Sequence, residues 1–126
     1  MEKESIENMI NEKHLKDDCI FCKILKGELP SEKVYEDEDS VVIKNIAPVV
    51  DTHLLIIPKI HTENLEEYEG KDEILGKLIN TGLKVKKKLN LDSYRLIVNV
   101  GEGAGQSVMH THIHILNDPK LKDTML

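Results

Sequence analysis

Three histidines spaced one residue apart, His110, His112 and His114, close the stretch NVGEGAGQSVMHTHIHIL at residues 99–116. In an extended strand alternate side chains project to opposite faces. This spacing therefore puts all three imidazoles on one face and leaves Thr111, Ile113 and Ile115 for a core. Upstream lies a glycine-rich turn, Gly101-Glu102-Gly103-Ala104-Gly105, followed by Gln106 and Ser107. A neutral imidazole is a competent nucleophile near neutral pH, because its unperturbed pKa is about 6.5. A glycine-rich loop can bring backbone N–H groups close to an anion. Together these features point to a phosphate group held beside a nucleophile. A second chemical signal is the C-x-x-C pair Cys19 and Cys22, the only cysteines in the chain. In a reducing compartment such a pair indicates metal or redox chemistry more than a structural disulfide.

These residues need a scaffold to hold them. Residues 34–36 and 40–46 read as a strand hairpin across the acidic turn Asp37-Glu38-Asp39. Residues 53–57 form a strongly apolar strand ended by Pro58. His61 opens a polar stretch with room for one helical turn. The clearest helix spans residues 72–89, with Ile74, Leu75, Leu78, Ile79, Val85 and Leu89 as its apolar stripe. Asp72 and Glu73 at its start and Lys84, Lys86, Lys87 and Lys88 near its end suit the helix dipole. Residues 94–100 and 109–116 are the last two strands, the second carrying the histidines. Around Cys19 a knuckle leads into a short helix that stops at Gly27 and Pro30. Residues 1–16 carry Ile6, Met9 and Ile10 at helical spacing, which fits a short amphipathic helix or a loosely attached arm. The expected architecture is α+β, with about five antiparallel strands, one long helix packed on them and a short N-terminal helix. The expected division is an arm over residues 1–16 and a single domain over residues 17–126.

Composition bounds the function. A chain of 126 residues with 40% hydrophobic and 32% charged residues is long enough to bury a core without disulfide staples. Its net charge of −6 argues against a dominant nucleic-acid surface, which is usually basic. No apolar run approaches the ~20 residues that span a bilayer. The first residues lack the apolar stretch of a secretory signal, so a cytoplasmic location is expected, with no membrane or nucleic-acid partner.

The segment HTHIHIL, residues 110–116, resembles the H-φ-H-φ-H-φ-φ signature of the histidine triad (HIT) superfamily, where φ is apolar; Thr111 departs mildly from it. CIFCKILKGELPSEKVYEDE, NIAPVVDTHLLIIPKIH and NVGEGAGQSVMHTHIH resemble further blocks of that family in family order, so the resemblance runs from Cys19 to Leu116. It implies a homodimeric nucleotide-binding α+β fold whose members hydrolyse or transfer nucleotides at the α-phosphate. Hint-like members cleave adenosine phosphoramidates and carry asparagine at the position of Asn99. Fhit-like members cleave diadenosine polyphosphates and carry glutamine there. The resemblance therefore leans toward the Hint branch and a purine nucleoside phosphoramidase activity.

Carried onto this chain, the resemblance makes His112 the candidate nucleophile. Attack by its ring nitrogen on the α-phosphate would leave a nucleotidyl-histidine that water then hydrolyses to the nucleoside monophosphate. His114 and His53 are the supporting imidazoles, able to bond phosphate oxygens or protonate the leaving group. Asn99, Gly105, Gln106 and Ser107 are the candidate phosphate contacts. By resemblance, Ile20, Phe21, Ile43 and Leu55 pack on the base, with Ile46 nearby. Asn45 stands where the family usually has an aspartate that accepts hydrogen bonds from both ribose hydroxyls, and a neutral amide is the weaker acceptor. Cys19, Cys22, His61 and His110 match the four ligand positions of the zinc-bearing members. Four protein ligands leave no open coordination position, so the expected Zn2+ is structural.

Other readings of the same residues stay open at this point. The C-x-x-C pair could be redox-active or a pair of plain thiols. The three histidines could ligate one catalytic metal, although the outer two lie ~13 Å apart along a strand and no acidic residue joins them. A dinucleoside polyphosphate hydrolase and a non-catalytic nucleotide sensor would each keep the same pocket.

Overall fold

The computed structural model describes residues 15–46, 48 and 50–121. Most of the stretch over residues 1–16, read from sequence as a helix or an arm, lies outside the described residues. The elements run α1 (Ile20–Leu25), β1 (Lys33–Glu36), β2 (Ser40–Lys44), β3 (Thr52–Pro58), α2 (Asp72–Leu89), β4 (Arg95–Ile97) and β5 (Ile113–Asn117). One-turn 3-10 helices at Leu65–Tyr68 and Glu102–Ala104 fill two of the connections. The five strands form one antiparallel sheet in the order β1-β2-β3-β5-β4. No helix among the described residues is long and apolar enough to cross a membrane.

The hairpin closes where the acidic turn was expected. Asp37 Oδ1 accepts from the backbone N–H groups of Asp39 and Ser40 at 2.9 and 2.8 Å. Its other oxygen accepts from Thr81 Oγ1 at 2.7 Å and ties the turn to α2.

The central strands read as continuous apolar runs because both faces of the sheet are covered. Val42, Leu54, Ile56, Ile113 and Ile115 pack with Leu78 and Val85 of α2 on one face. Val41, Ile43, Leu55 and Ile57 alternate onto the opposite face, against Cys19, Phe21 and Cys22. Each fully buried aliphatic side chain of this kind contributes about 1.5–3 kcal/mol through removal from water.

The helix over residues 72–89 has the expected ends, closed by Asn90 in the left-handed conformation at φ 55°. Its inward face is different. Thr81 and Gly82 are buried, whereas Ile79, Leu83 and Leu89 are 39%, 44% and 37% exposed. The helix lies so near the sheet that a Cβ on Gly82 would stand 3.3 Å from Ile56 Cδ1.

Two other expectations are corrected. Cys19 caps α1, its Sγ accepting from Cys22 N at 3.4 Å, so the cysteine knuckle is the first turn of the helix itself. The last two strands are shorter than read: only residues 95–97 and 113–117 are paired. His110 and His112 therefore precede β5, where Thr111 N bonds Thr62 O at 2.8 Å instead of a strand neighbour.

Candidate functional site

The α1 face of the sheet carries the site. His53 shares that face with Leu55 and Ile57, and His114 pairs with Leu55 across the β3–β5 ladder. Against them α1 presents Phe21, whose ring meets His112 edge-on at a centroid distance of 5.0 Å. The result is a cleft of about 500 Å3. Ile20, Phe21, Ile43, Asn45, Ile46 and Leu55, the six residues expected around a nucleoside, all line it. Ser107, His112 and His114 also line it and make its polar end.

Hydrogen bonds fix the proton positions of the imidazoles. His112 Nδ1 lies 2.7 Å from the carbonyl oxygen of His110. A carbonyl only accepts, so Nδ1 carries the proton and Nε2 keeps its lone pair. His53 Nε2 lies 2.8 Å from His114 Nδ1, so these two rings share one proton between them. The His112 and His114 rings are 5.0 Å apart. Burial depresses all three: it lowers the pKa of His112 against the bond to His110, lowers that of His53, and pushes His114 down to about 4. The site is therefore three neutral imidazoles at neutral pH, and the bare Nε2 of His112 is not engaged by the carbonyl that holds its other nitrogen.

The glycine loop is braced from within. Gly105 takes φ +89°, and a Cβ there would lie 3.9 Å from Asn99 Nδ2. Ser107 is exposed at the rim of the cleft. Gln106 has a different place from the one expected. It is 3% exposed, and its Oε1 accepts from Gly101 N at 2.8 Å while Nε2 donates to Glu63 O at 2.6 Å and Val108 O at 3.0 Å. Its own backbone N–H bonds Gly101 O at 3.1 Å. All its donors are engaged, so Gln106 shapes the loop and has none left for a phosphate.

Cys19, Cys22, His61 and His110 come together although they lie far apart in sequence, their four donor atoms all within 4.8 Å of one another. His110 Nδ1 lies 3.5 Å from each sulfur, and His61 Nδ1 is 3.3 Å from Cys22 Sγ. A tetrahedral ion with metal–sulfur bonds of about 2.3 Å and metal–nitrogen bonds of about 2.0 Å requires S···N edges of about 3.5 Å. The three S···N distances of 3.3–3.5 Å fit that requirement. The second nitrogen of His110 lies 3.0 Å from Pro58 O, which places a proton on Nε2 and bares Nδ1 toward the sulfurs. Burial holds His110 down to about 4, neutral as a ligand must be, and pushes the Cys22 thiol up to about 11. A thiolate in this setting calls for a compensating cation. The residues can hold a metal.

Some of the surroundings were not legible from sequence. Ile24, Leu29, Pro30 and Ser31 extend the apolar end of the cleft, and nothing in their spacing marked them. Thr111, out of pattern among the histidines, is 1% exposed, with its hydroxyl 2.7 Å from Thr62 Oγ1, which in turn reaches Tyr68 Oη at 3.1 Å. A polar residue belongs at this position because its neighbour is polar too.

The family model for the HIT domain matches residues 26–120. Protein HitA of Neisseria gonorrhoeae is 41% identical over 105 residues, covering 82% of this chain and 98% of that protein. A protein of Arabidopsis thaliana named adenylylsulfatase HINT3 is 41% identical over 104 residues, 81% of this chain and 53% of its own length. Among solved structures, a HIT family hydrolase from Clostridium thermocellum superposes with a TM-score of 0.82 at 42% identity, covering 88% of this chain and 99% of that one.

Proposed function

This chain belongs to the HIT domain family, and from its cleft we propose that it is a nucleotide hydrolase cleaving adenosine or other purine nucleoside phosphoramidates at the α-phosphate. The observation that carries the reading is the His112–His110 hydrogen bond, which leaves a lone pair on Nε2 at the polar end of an otherwise apolar cleft. With the base among Phe21, Ile43 and Leu55 and the sugar near Asn45 and Ile46, the α-phosphate falls within reach of His112, His114 and Ser107. Asn99 and Gly105 stand at the adjoining loop to support its oxygens. His112 Nε2 forms a bond to phosphorus as the bond from phosphorus to the leaving nitrogen breaks, and the amine takes up a proton relayed through His114, which the water of the second step restores. Water then attacks the nucleotidyl-histidine, releasing the nucleoside monophosphate and freeing the imidazole. His53 and His114 assist as neutral hydrogen-bonding groups. The relative named for action on adenylyl sulfate supports cleavage at this phosphate.

The four-donor group is read as a structural Zn2+ site of Cys19, Cys22, His61 and His110. With every position filled by protein, such an ion ties α1 to the segment before β5 and supplies no chemistry at the phosphate. A homodimer is the proposed assembly. The edge strand β4 and the exposed Ile79 and Leu83 of α2 give a surface that a second copy would cover. The expected setting is cytoplasmic, without nucleic acid or membrane.

A panel of adenosine and guanosine phosphoramidates and diadenosine polyphosphates tests the activity. Preferential release of AMP or GMP from the phosphoramidates supports the reading. Preference for the polyphosphates would move the chain to the other enzymatic branch. Binding of AMP without turnover of any substrate would make it a nucleotide sensor.

A further inference from the structure

Asn45 stands at the junction of the sugar end of the cleft and the paired imidazoles. Its backbone N–H donates to His53 O at 2.9 Å, just beyond the last β2–β3 register pair, Lys44 with Leu54. That bond fixes the place of residue 45 whatever its side chain. The carboxamide then lies across the nitrogen edge of the His53 ring, with Nδ2 3.1 Å from Nε2 and 3.5 Å from Nδ1. The same Nε2 is the atom that meets His114 Nδ1 at 2.8 Å.

Two neutral rings joined nitrogen to nitrogen hold one proton at the junction. If His53 holds it, His114 accepts at Nδ1 and carries its own proton on Nε2, a donor for a phosphate oxygen. If His114 holds it, Nε2 is bare and repels that oxygen. An amide N–H can only donate, so it stabilises whichever nitrogen of His53 is bare. Donation to Nδ1 keeps the proton on His53 Nε2 and makes His114 a donor to the cleft; donation to Nε2 does the reverse. A sugar hydroxyl that engages the amide shifts this balance.

We propose that Asn45 is a positioning residue for the His53–His114 pair, so that occupancy of the sugar end of the cleft is transmitted to the imidazole facing the phosphate. The proposal rests on the phosphoramidase reading for its substrate and on the Asn45–His53–His114 geometry for its mechanism.

The test uses the full chain as wild type, Asn45→Ala and Asn45→Asp. The substrates are adenosine 5′-phosphoramidate and its 2′,3′-dideoxy counterpart, which has no hydroxyl for residue 45 to lose. Ring 15N signals of His53 and His114 are recorded without nucleotide. The amide lies nearer Nε2, at 3.1 Å against 3.5 Å from Nδ1, and so favours the arrangement in which His114 Nε2 is bare; Asn45→Ala is therefore expected to raise kcat on the dideoxy substrate by roughly tenfold, a fraction of what a full acid–base group provides. It also shifts the ring signals. Asn45→Asp, which only accepts, shifts them further in the same direction. A kcat on the dideoxy substrate within about twofold of wild type, or below it, would overturn the proposal and leave Asn45 a plain sugar contact. Unmoved ring signals would overturn it equally. If the wild type turns over neither substrate, the phosphoramidase reading fails by itself, and the ring signals still decide the role of Asn45.

Discussion

The carbonyl oxygen of His110 accepts the Nδ1 proton of His112 at 2.7 Å, while the His110 ring turns its own Nδ1 toward Cys19 and Cys22. One residue therefore joins the four-donor group by its side chain and orients the His112 imidazole by its main chain. The two sites are mechanically one. Anything that loosens the His110 ring also displaces the group that fixes the His112 tautomer.

Metal removal follows from that coupling. One zinc per chain is expected by elemental analysis of the purified protein, and Cys22→Ser should lower that stoichiometry. Chelation should depress the thermal midpoint, because binding energy at a four-ligand site is also folding energy. Activity should decline along with the fraction folded. Immediate loss of turnover in a chain that is still folded would instead place the metal in the reaction.

Stability should depend on pH in a defined direction. Burial holds His114 at about 4 and lowers His53 as well, while the same residues in the unfolded chain titrate near 6.5. Between about pH 6.5 and about pH 4 the unfolded chain binds more protons, so stability falls as pH falls and this contribution is complete above about 6.5. Urea midpoints measured across that window should rise with pH, and His114→Gln should reduce the slope. A slope unchanged by His114→Gln would contradict the buried, neutral assignment.

The Thr62–Thr111 pair offers a test of packing. Thr62→Val should cost about 1–3 kcal/mol, since it strips the buried Tyr68 hydroxyl of its Thr62 Oγ1 partner and leaves the Thr111 hydroxyl only its bond to Thr62 O. Thr111→Val should also destabilise, and the double variant should cost less than the two single variants added together. Strict additivity in denaturant titrations would show that the two hydroxyls do not act as a pair.

What the sequence disclosed follows the strength of its signals. Helix 72–89 was legible at both ends because charge placement and apolar period agree there. Its inward face was not, since close approach to Ile56 selects Gly82 and Thr81 over the larger side chains that a hydrophobic stripe suggests. The alternation of Ile113 and Ile115 into the core held, but the pairing of Thr111 with the Thr62 loop shortened the strand carrying the histidines. The bracing bonds of Gln106 were not legible because a polar side chain after a glycine turn looks the same whether it faces a ligand or holds the loop. The residues of the four-donor group were legible from residue type and family resemblance. Their mutual distances, and the Pro58 and His110 carbonyls that set the tautomers, depend on tertiary contacts that no local pattern records.

Assembly is open to a direct measurement. Ile79→Glu combined with Leu83→Glu places two charges on the exposed face of α2 and should turn a dimer into monomers by sedimentation, with the far-ultraviolet spectrum unchanged. A wild type that sediments as a monomer, or a double variant that remains dimeric, would remove this face from the interface.

The central claim is that His112 Nε2 is the attacking atom. It is tested most directly by acid-quenching a reaction with adenosine 5′-phosphoramidate early in turnover and locating the adduct by peptide mass spectrometry. The expected result is an adenylyl group on His112 alone, absent from His112→Ala, which should still bind AMP but lose turnover. Turnover by His112→Ala comparable to wild type, or an adenylyl group carried by another residue, would contradict it.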